Sequence, residues 1–176
     1  MREELKKLFP EIEEIKDSDL KEKTYKCFEE AMKLGGWEIK DLYEMPFTLL
    51  IPDCPVKMVD HIKGVLKTSI AMAKAMSEVY GDKMPINMDL LISGAFLHDV
   101  GKLLEYERID GKFVKSRNGK LLRHPFSGAI LAGKIGLPDE VLHMIAVHSK
   151  EGDHGKRITE AIIVNKADFA NFEPLH

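Results

Sequence analysis

"FLHDVGKLLEYE" (residues 96–107) places His98 and Asp99 side by side in a run that otherwise reads as an apolar helix over 87–105. An imidazole and a carboxylate carried inward on such a helix are unfavourable unless their polar atoms are compensated. Two compensations are open: the pair satisfies its own hydrogen bonds within the core, or it holds a metal ion. The same stretch also marks a change in the chain. Beyond it, "YERIDGKFVKSRNGK" (106–120) loses helical spacing, and Asp110-Gly111 between two short alternating runs predicts a β-hairpin.

Helices are expected on both sides. In residues 17–36, Leu20, Thr24, Cys27, Phe28, Ala31 and Met32 share one face, with Asp17 or Ser18 as cap and Gly35-Gly36 as stop. Residues 37–54 form an irregular stretch rich in proline and aromatics, placed to lie over a pocket. A helix is expected from Pro55, at its first position, to about Tyr80, where Gly81 ends it. Three more follow over 125–135, 138–150 and 156–172. No repeat or interdomain linker interrupts the pattern, so the expectation is one all-α domain over residues 1–176. Its core occupies about 55–172, with the N-terminal helices of 1–36 packed on it and a small β-hairpin excursion near 106–120.

Bulk properties narrow the class. The chain is 44% hydrophobic and 31% charged with a formal charge of −3, which argues against disorder and gives no global pull toward nucleic acid or anionic membrane. No nucleic-acid-binding surface is evident. Cys27 and Cys54 lack CxxC spacing and suggest a reducing compartment. The charged N-terminus does not resemble a signal peptide, and no apolar run is long enough to span a bilayer, so a cytoplasmic protein is expected.

Other polar residues fall on apolar faces. His61 lies three residues after Met58 and four before Val65; His148 lies three after Ile145 and seven after Val141; Asp168 lies four after Val164. His124 precedes Pro125, at the mouth of a helix. Taken singly, each has a plain explanation as a hydrogen-bonded core residue or a carboxylate paired with lysine. Taken together, several helices would each bury an imidazole or carboxylate for unrelated reasons, whereas convergence on metal explains all of them. That donor set suits Fe, Mn, Ni or Zn. Neighbouring helical residues point about 100° apart, so Asp99 can reach an ion beside His98 and bridge to a second. Lys102, three residues past Asp99, falls on the rim of the same site, placed to hold an anionic oxygen. Gly94 and Ala95 leave room for a neighbouring helix.

The ordered set His61, His98-Asp99, His124, His148 and Asp168 resembles the H…HD…H…H…D pattern of the HD-domain superfamily, as do "HDVGK" (98–102) and "HPFSGA" (124–129). The resemblance covers residues 55–172. It implies an all-helical bundle around two divalent transition-metal ions. His61, His98, Asp99 and Asp168 would hold one ion, and His124 and His148 the second, with Asp99 bridging. It implies a metal-dependent phosphohydrolase, monoesterase or diesterase, in which a hydroxide held between two cations attacks phosphorus and Lys102 contacts the substrate phosphate. Asp99 and Lys102 would be the catalytic residues. The substrate would be a small phosphorylated compound, with a nucleotide as the leading class. Lys112, Lys115, Arg117, Lys120 and Arg123 form a run without an acid that would steer such a substrate, with Arg123 nearest the site. An ordinary solvated hairpin is the alternative reading of that run.

Departures from the family's branches are informative. "HSKEGDHGKR" (148–157) holds no GYP, unlike the cyclic di-GMP phosphodiesterases of the HD-GYP type. Val100, Gly101 and Lys102 follow the His-Asp pair where guanosine-tetraphosphate hydrolases carry two acids, and His143 and His154 match no ligand position. Two alternatives stay open: a di-iron oxygenase with the same ligands, and a non-catalytic metal- or nucleotide-binding module.

Overall fold

A computed structural model describes residues 1–175. The N-terminal segment forms α1 (Arg2–Leu8), a 3₁₀ turn (Pro10–Glu14) and α2 (Ser18–Gly35). Asp17 caps α2 by accepting hydrogen bonds from the backbone N–H groups of Asp19 and Leu20, and Gly36 closes it with φ 73°. After a 3₁₀ turn (Ile39–Tyr43) come α3 (Met58–Tyr80), α4 (Met88–Leu97) and α5 (Lys102–Glu105). Strands β1 (Tyr106–Ile109) and β2 (Lys112–Lys115) then lead into α6 (Arg117–Leu121), α7 (His124–Ile135), α8 (Asp139–Val147) and α9 (Thr159–Phe172). The fold is all-α with one small antiparallel hairpin. No described helix is long and apolar enough to cross a membrane.

Composition puts α4 at the centre. Every residue from Leu91 to Leu97 is buried, so this helix is apolar around its whole circumference and must be covered on all sides. Helices α2, α3, α8 and α9 pack against it. Gly94 makes room for α8, since a β-carbon there would stand 2.3 Å from Met144 Cε. The N-terminal segment joins the same core through Phe9, Phe28 and Phe96, whose ring centroids lie 4.8 to 6.3 Å apart. Trp37 is buried beside it, and its indole N–H donates to the Leu103 carbonyl at 2.8 Å.

Several boundaries differ from the sequence expectation, among them the last helix, expected from 156 and observed from Thr159. The helix placed at Pro55 begins at Met58, because residues 45–47 pair with 56–58: Phe47 N–H donates to Val56 O at 3.3 Å and Met58 N–H to Met45 O at 2.8 Å. The helix placed over 87–105 is broken after Leu97 by a tight turn. In it Val100 N–H donates to Leu97 O, Lys102 N–H to Asp99 O and Leu103 N–H to Val100 O, the i to i−3 spacing of a 3₁₀ segment. The cause is Gly101, pressed so closely on α7 that a β-carbon would stand 2.0 Å from His124 O. The hairpin ends at Lys115, after which Ser116 Oγ caps α6 by accepting from Gly119 N–H. Its turn residues have φ 49° at Asp110 and 76° at Gly111, as a two-residue I′ turn requires. Finally, α8 stops at Val147, because side chains take the next carbonyls: Arg157 donates to Val147 O and Asn165 to His148 O, both at 2.7 Å.

Candidate metal centre

Helix ends supply most of the site. His98 and Asp99 lie on the tight turn after α4, His124 opens α7 and His148 directly follows α8; His61 and Asp168 come from within α3 and α9. His61, His98, Asp99, His124 and His148 are buried, and Asp168 is partly buried, its side chain 15% exposed. The structure brings these six side chains together around Asp99.

Asp99 divides its two oxygens between two groups of imidazoles. Oδ2 lies 3.2 Å from His61 Nε2 and 3.4 Å from His98 Nε2, while Oδ1 lies 3.2 Å from His124 Nε2 and 3.5 Å from His148 Nε2. Asp168 Oδ1 joins the first group, 3.1 Å from His61 Nε2 and 3.9 Å from His98 Nε2. Within each trio, His61-His98-Asp99 and Asp99-His124-His148, one ligand atom per residue falls within 4.8 Å of the others, so each trio is able to hold a metal ion.

The outer hydrogen bonds decide what these atoms present. His98 Nδ1 is 2.7 Å from Ala95 O and His148 Nδ1 is 2.8 Å from Ile145 O. A carbonyl only accepts, so both Nδ1 atoms carry a proton, which leaves Nε2 as the atom whose lone pair a metal would take. His124 Nδ1 faces Glu105 Oε2 at 3.0 Å, with the same result. The lone pairs of His124 and His148 nonetheless crowd one another, with Nε2 3.3 Å from Nε2, while His98 Nε2 turns on His61 Nε2 at 3.2 Å. Among the described residues neither Asp99 oxygen finds a hydrogen bond of good geometry, although Lys102 Nζ forms an ion pair with Oδ2 at 2.6 Å. Acceptors turned on acceptors in a buried space repel; a cation among them reverses the sign. The residues present therefore fit divalent transition metals.

Charge is balanced accordingly. Burial opposes ionisation of Asp99, but the Lys102 ammonium beside it prevails and holds the carboxyl well below the usual range. Lys102 is held raised in turn, since its attraction to Asp99 outweighs burial. Burial opposes ionisation of Asp168 as well, yet its hydrogen bond to His61 brings it down to about 2. Burial pushes His124 down to about 4, which favours the neutral ring that a metal needs.

A cavity of about 440 Å³ opens over this floor. Phe47, Leu49, Phe169 and Phe172 contribute apolar surface to it, and Lys115, Arg123, Lys150 and Glu151 polar surface. Lys102 lies in the floor. Arg123 reaches the cavity but is already engaged, its Nε donating to Glu151 at 2.9 Å and its guanidinium 3.4 Å from Glu105. His143 stands apart, its Nε2 accepting from Ile158 N–H, and His154 is exposed in the turn after α8. Two contributors escape sequence reasoning. Glu105 has its partner 19 positions away, and Phe47, stacked on His61 at 4.2 Å between centroids, lies in a segment without periodicity.

A helical bundle enclosing a buried cluster of imidazoles and carboxylates under an open cavity defines the class of protein. The HD domain matches residues 58–169, and the chain belongs to that family. It is 32% identical over 117 residues to a dihydroneopterin 2′,3′-cyclic phosphate phosphodiesterase from Methanocaldococcus jannaschii, covering 65% of this chain and 45% of that one. It is 31% identical over 106 residues to a ribonuclease Y from Acidothermus cellulolyticus, covering 60% of this chain and 18% of that one. The chain thus spans less than half the length of either relative. No solved structure matches it significantly.

Proposed function

We propose that the chain is a metal-dependent phosphohydrolase acting on a small phosphorylated substrate, a nucleotide or similar compound. Two divalent transition-metal ions, from Fe, Mn, Ni or Zn, would be held by His61, His98, Asp99 and Asp168 on one side and by His124, His148 and the shared Asp99 on the other. The observation that carries this reading is the division of Asp99, one oxygen toward each trio of donors. Ions bound there supply a nucleophilic water near neutral pH and offset charge on the phosphoryl oxygens. The chain's own groups do the rest. The Lys102 ammonium, in the cavity floor, donates to a phosphoryl oxygen, and Phe47 and Phe169 exclude bulk water, which strengthens that contact. Arg123 and Lys115 attract the anionic end of the substrate. The relative named as a cyclic phosphate phosphodiesterase supports a diester, and the cavity volume falls in the range of small-molecule sites. Two buried free thiols, Cys27 and Cys54, support a reducing, cytoplasmic setting. The core shared by the N-terminal helices and α4 supports a single domain.

The test is a screen of Mn-, Fe- and Ni-loaded protein against phosphomonoesters, 2′,3′-cyclic phosphates, linear diesters and short RNA, with metal content measured in parallel. Hydrolysis that depends on metal and proceeds without dioxygen is expected. Substrate consumption that requires dioxygen would identify an oxygenase, and tight binding without turnover at full metal loading would identify a binding module. Lys102→Ala is expected to keep its metal and lower kcat by about 100-fold, the scale of losing one preorganised donor. Elemental analysis beside steady-state kinetics checks both halves.

A further inference from the structure

We infer that Glu105 is a positioning residue that decides which nitrogen of His124 carries the proton, and so whether His124 is able to bind metal at all. The inference rests on the ligand role proposed for His124. Two carboxylates compete for that one proton. Glu105 Oε2 faces Nδ1 at 3.0 Å, and Asp99 Oδ1 faces Nε2 at 3.2 Å. If Asp99 held the proton, Nε2 would become a donor and its lone pair would be lost to a cation.

Glu105 prevails because it is fixed in place. The same Oε2 accepts the backbone N–H of His124 at 2.7 Å, so one oxygen grips both the ring and the start of α7. The carboxylate is 2% exposed. Its own backbone is clamped as well: Ser116 N–H donates to Glu105 O at 2.8 Å, and a β-carbon at Gly119 would stand 2.3 Å from that same oxygen. Arg123 and Lys115 balance its charge from the cavity side, at 3.4 and 3.8 Å from Oε1.

The other imidazoles show what this adds. His98 and His148 are oriented by carbonyls of their own helices, at Ala95 and Ile145, so their tautomers are set by local backbone. His124 opens its helix and has no preceding turn to supply a carbonyl. The carboxylate from the end of α5 takes that role. His61 is the contrast, since its Nδ1 has no hydrogen-bond partner among the described residues and Phe47 orients the ring by stacking.

The experiment is long-range ¹H–¹⁵N NMR of the histidines in the metal-free full chain at neutral pH, for wild type, Glu105→Ala and Glu105→Gln. Wild type is expected to carry the His124 proton on Nδ1. In Glu105→Ala it moves to Nε2, where Asp99 accepts it. Glu105→Gln retains Nδ1–H, because an amide oxygen accepts from the same two donors. Mn(II) titration should then show Glu105→Ala losing affinity for one of two ions by about 10- to 100-fold, with Glu105→Gln near wild type. A proton on Nε2 in wild type overturns the inference even if Glu105→Ala fails to fold. An unchanged tautomer, or two ions bound with unchanged affinity by Glu105→Ala, overturns it too. A wild type that binds no ion yet keeps Nδ1–H would overturn the proposed function and the metal-binding consequence drawn here, while leaving the tautomer assignment standing.

Discussion

Asp99→Ala is expected to lose both metal ions and to lower turnover by about 1,000-fold or more, beyond the 10²–10³ that removal of a single charge-stabilising group commonly costs. Each Asp99 oxygen stands within 3.5 Å of two imidazole nitrogens, so one truncation empties both trios of their shared anion. It also strands the Lys102 ammonium, which is 8% exposed and pairs with Asp99 at 2.6 Å. Leaving one partner of a buried ion pair alone costs about 3–5 kcal/mol. A double variant, Asp99→Ala with Lys102→Met, removes that charge and separates lost metal binding from lost stability. Elemental analysis and thermal melts of both variants give the answer. Full metal content in Asp99→Ala would refute the ligand assignment.

Gly101→Ala is expected to produce the largest loss of stability from the addition of one carbon. The new β-carbon would stand 2.0 Å from the His124 carbonyl oxygen and 2.8 Å from Gly128 N, both backbone atoms that no rotamer change can move. Overpacking against such atoms reaches about 3 kcal/mol, or about 10 °C in Tm for a domain of this length. Relief requires α7 to retreat, carrying His124 away from Asp99, so metal affinity should fall together with Tm. Gly133→Ala is the control. It lies on α7, the helix that Gly101 presses against, its nearest neighbour is the flexible Leu142 side chain at 3.3 Å, and little change is expected. Equal melting temperatures for the two variants would show that the approach at Gly101 carries no strain.

Much of this architecture was legible because it is local. The α2 face, its Asp17 cap and the Asp110-Gly111 turn depend on neighbours within a few residues, and periodicity reports such neighbours faithfully. The convergence of His61, His98, Asp99, His124, His148 and Asp168 was legible for a related reason. Each occupies an inward register on its own segment or opens a helix, and inward faces of one bundle must meet. What the sequence concealed is caused at a distance. The break after Leu97 results from α7 backbone pressing on Gly101, and the late start at Met58 from pairing with residues 45–47. Glu105 looks like an ordinary helix-end acid until the hairpin and α6 bring His124 back to it.

Trp37, the sole tryptophan, is tied through its indole N–H to the carbonyl of Leu103, the residue next to Lys102. The turn that carries the catalytic candidates therefore has a built-in fluorophore attached. Its ultraviolet emission offers a label-free signal for cation loading and for ligand entry, recorded on the unmodified polypeptide.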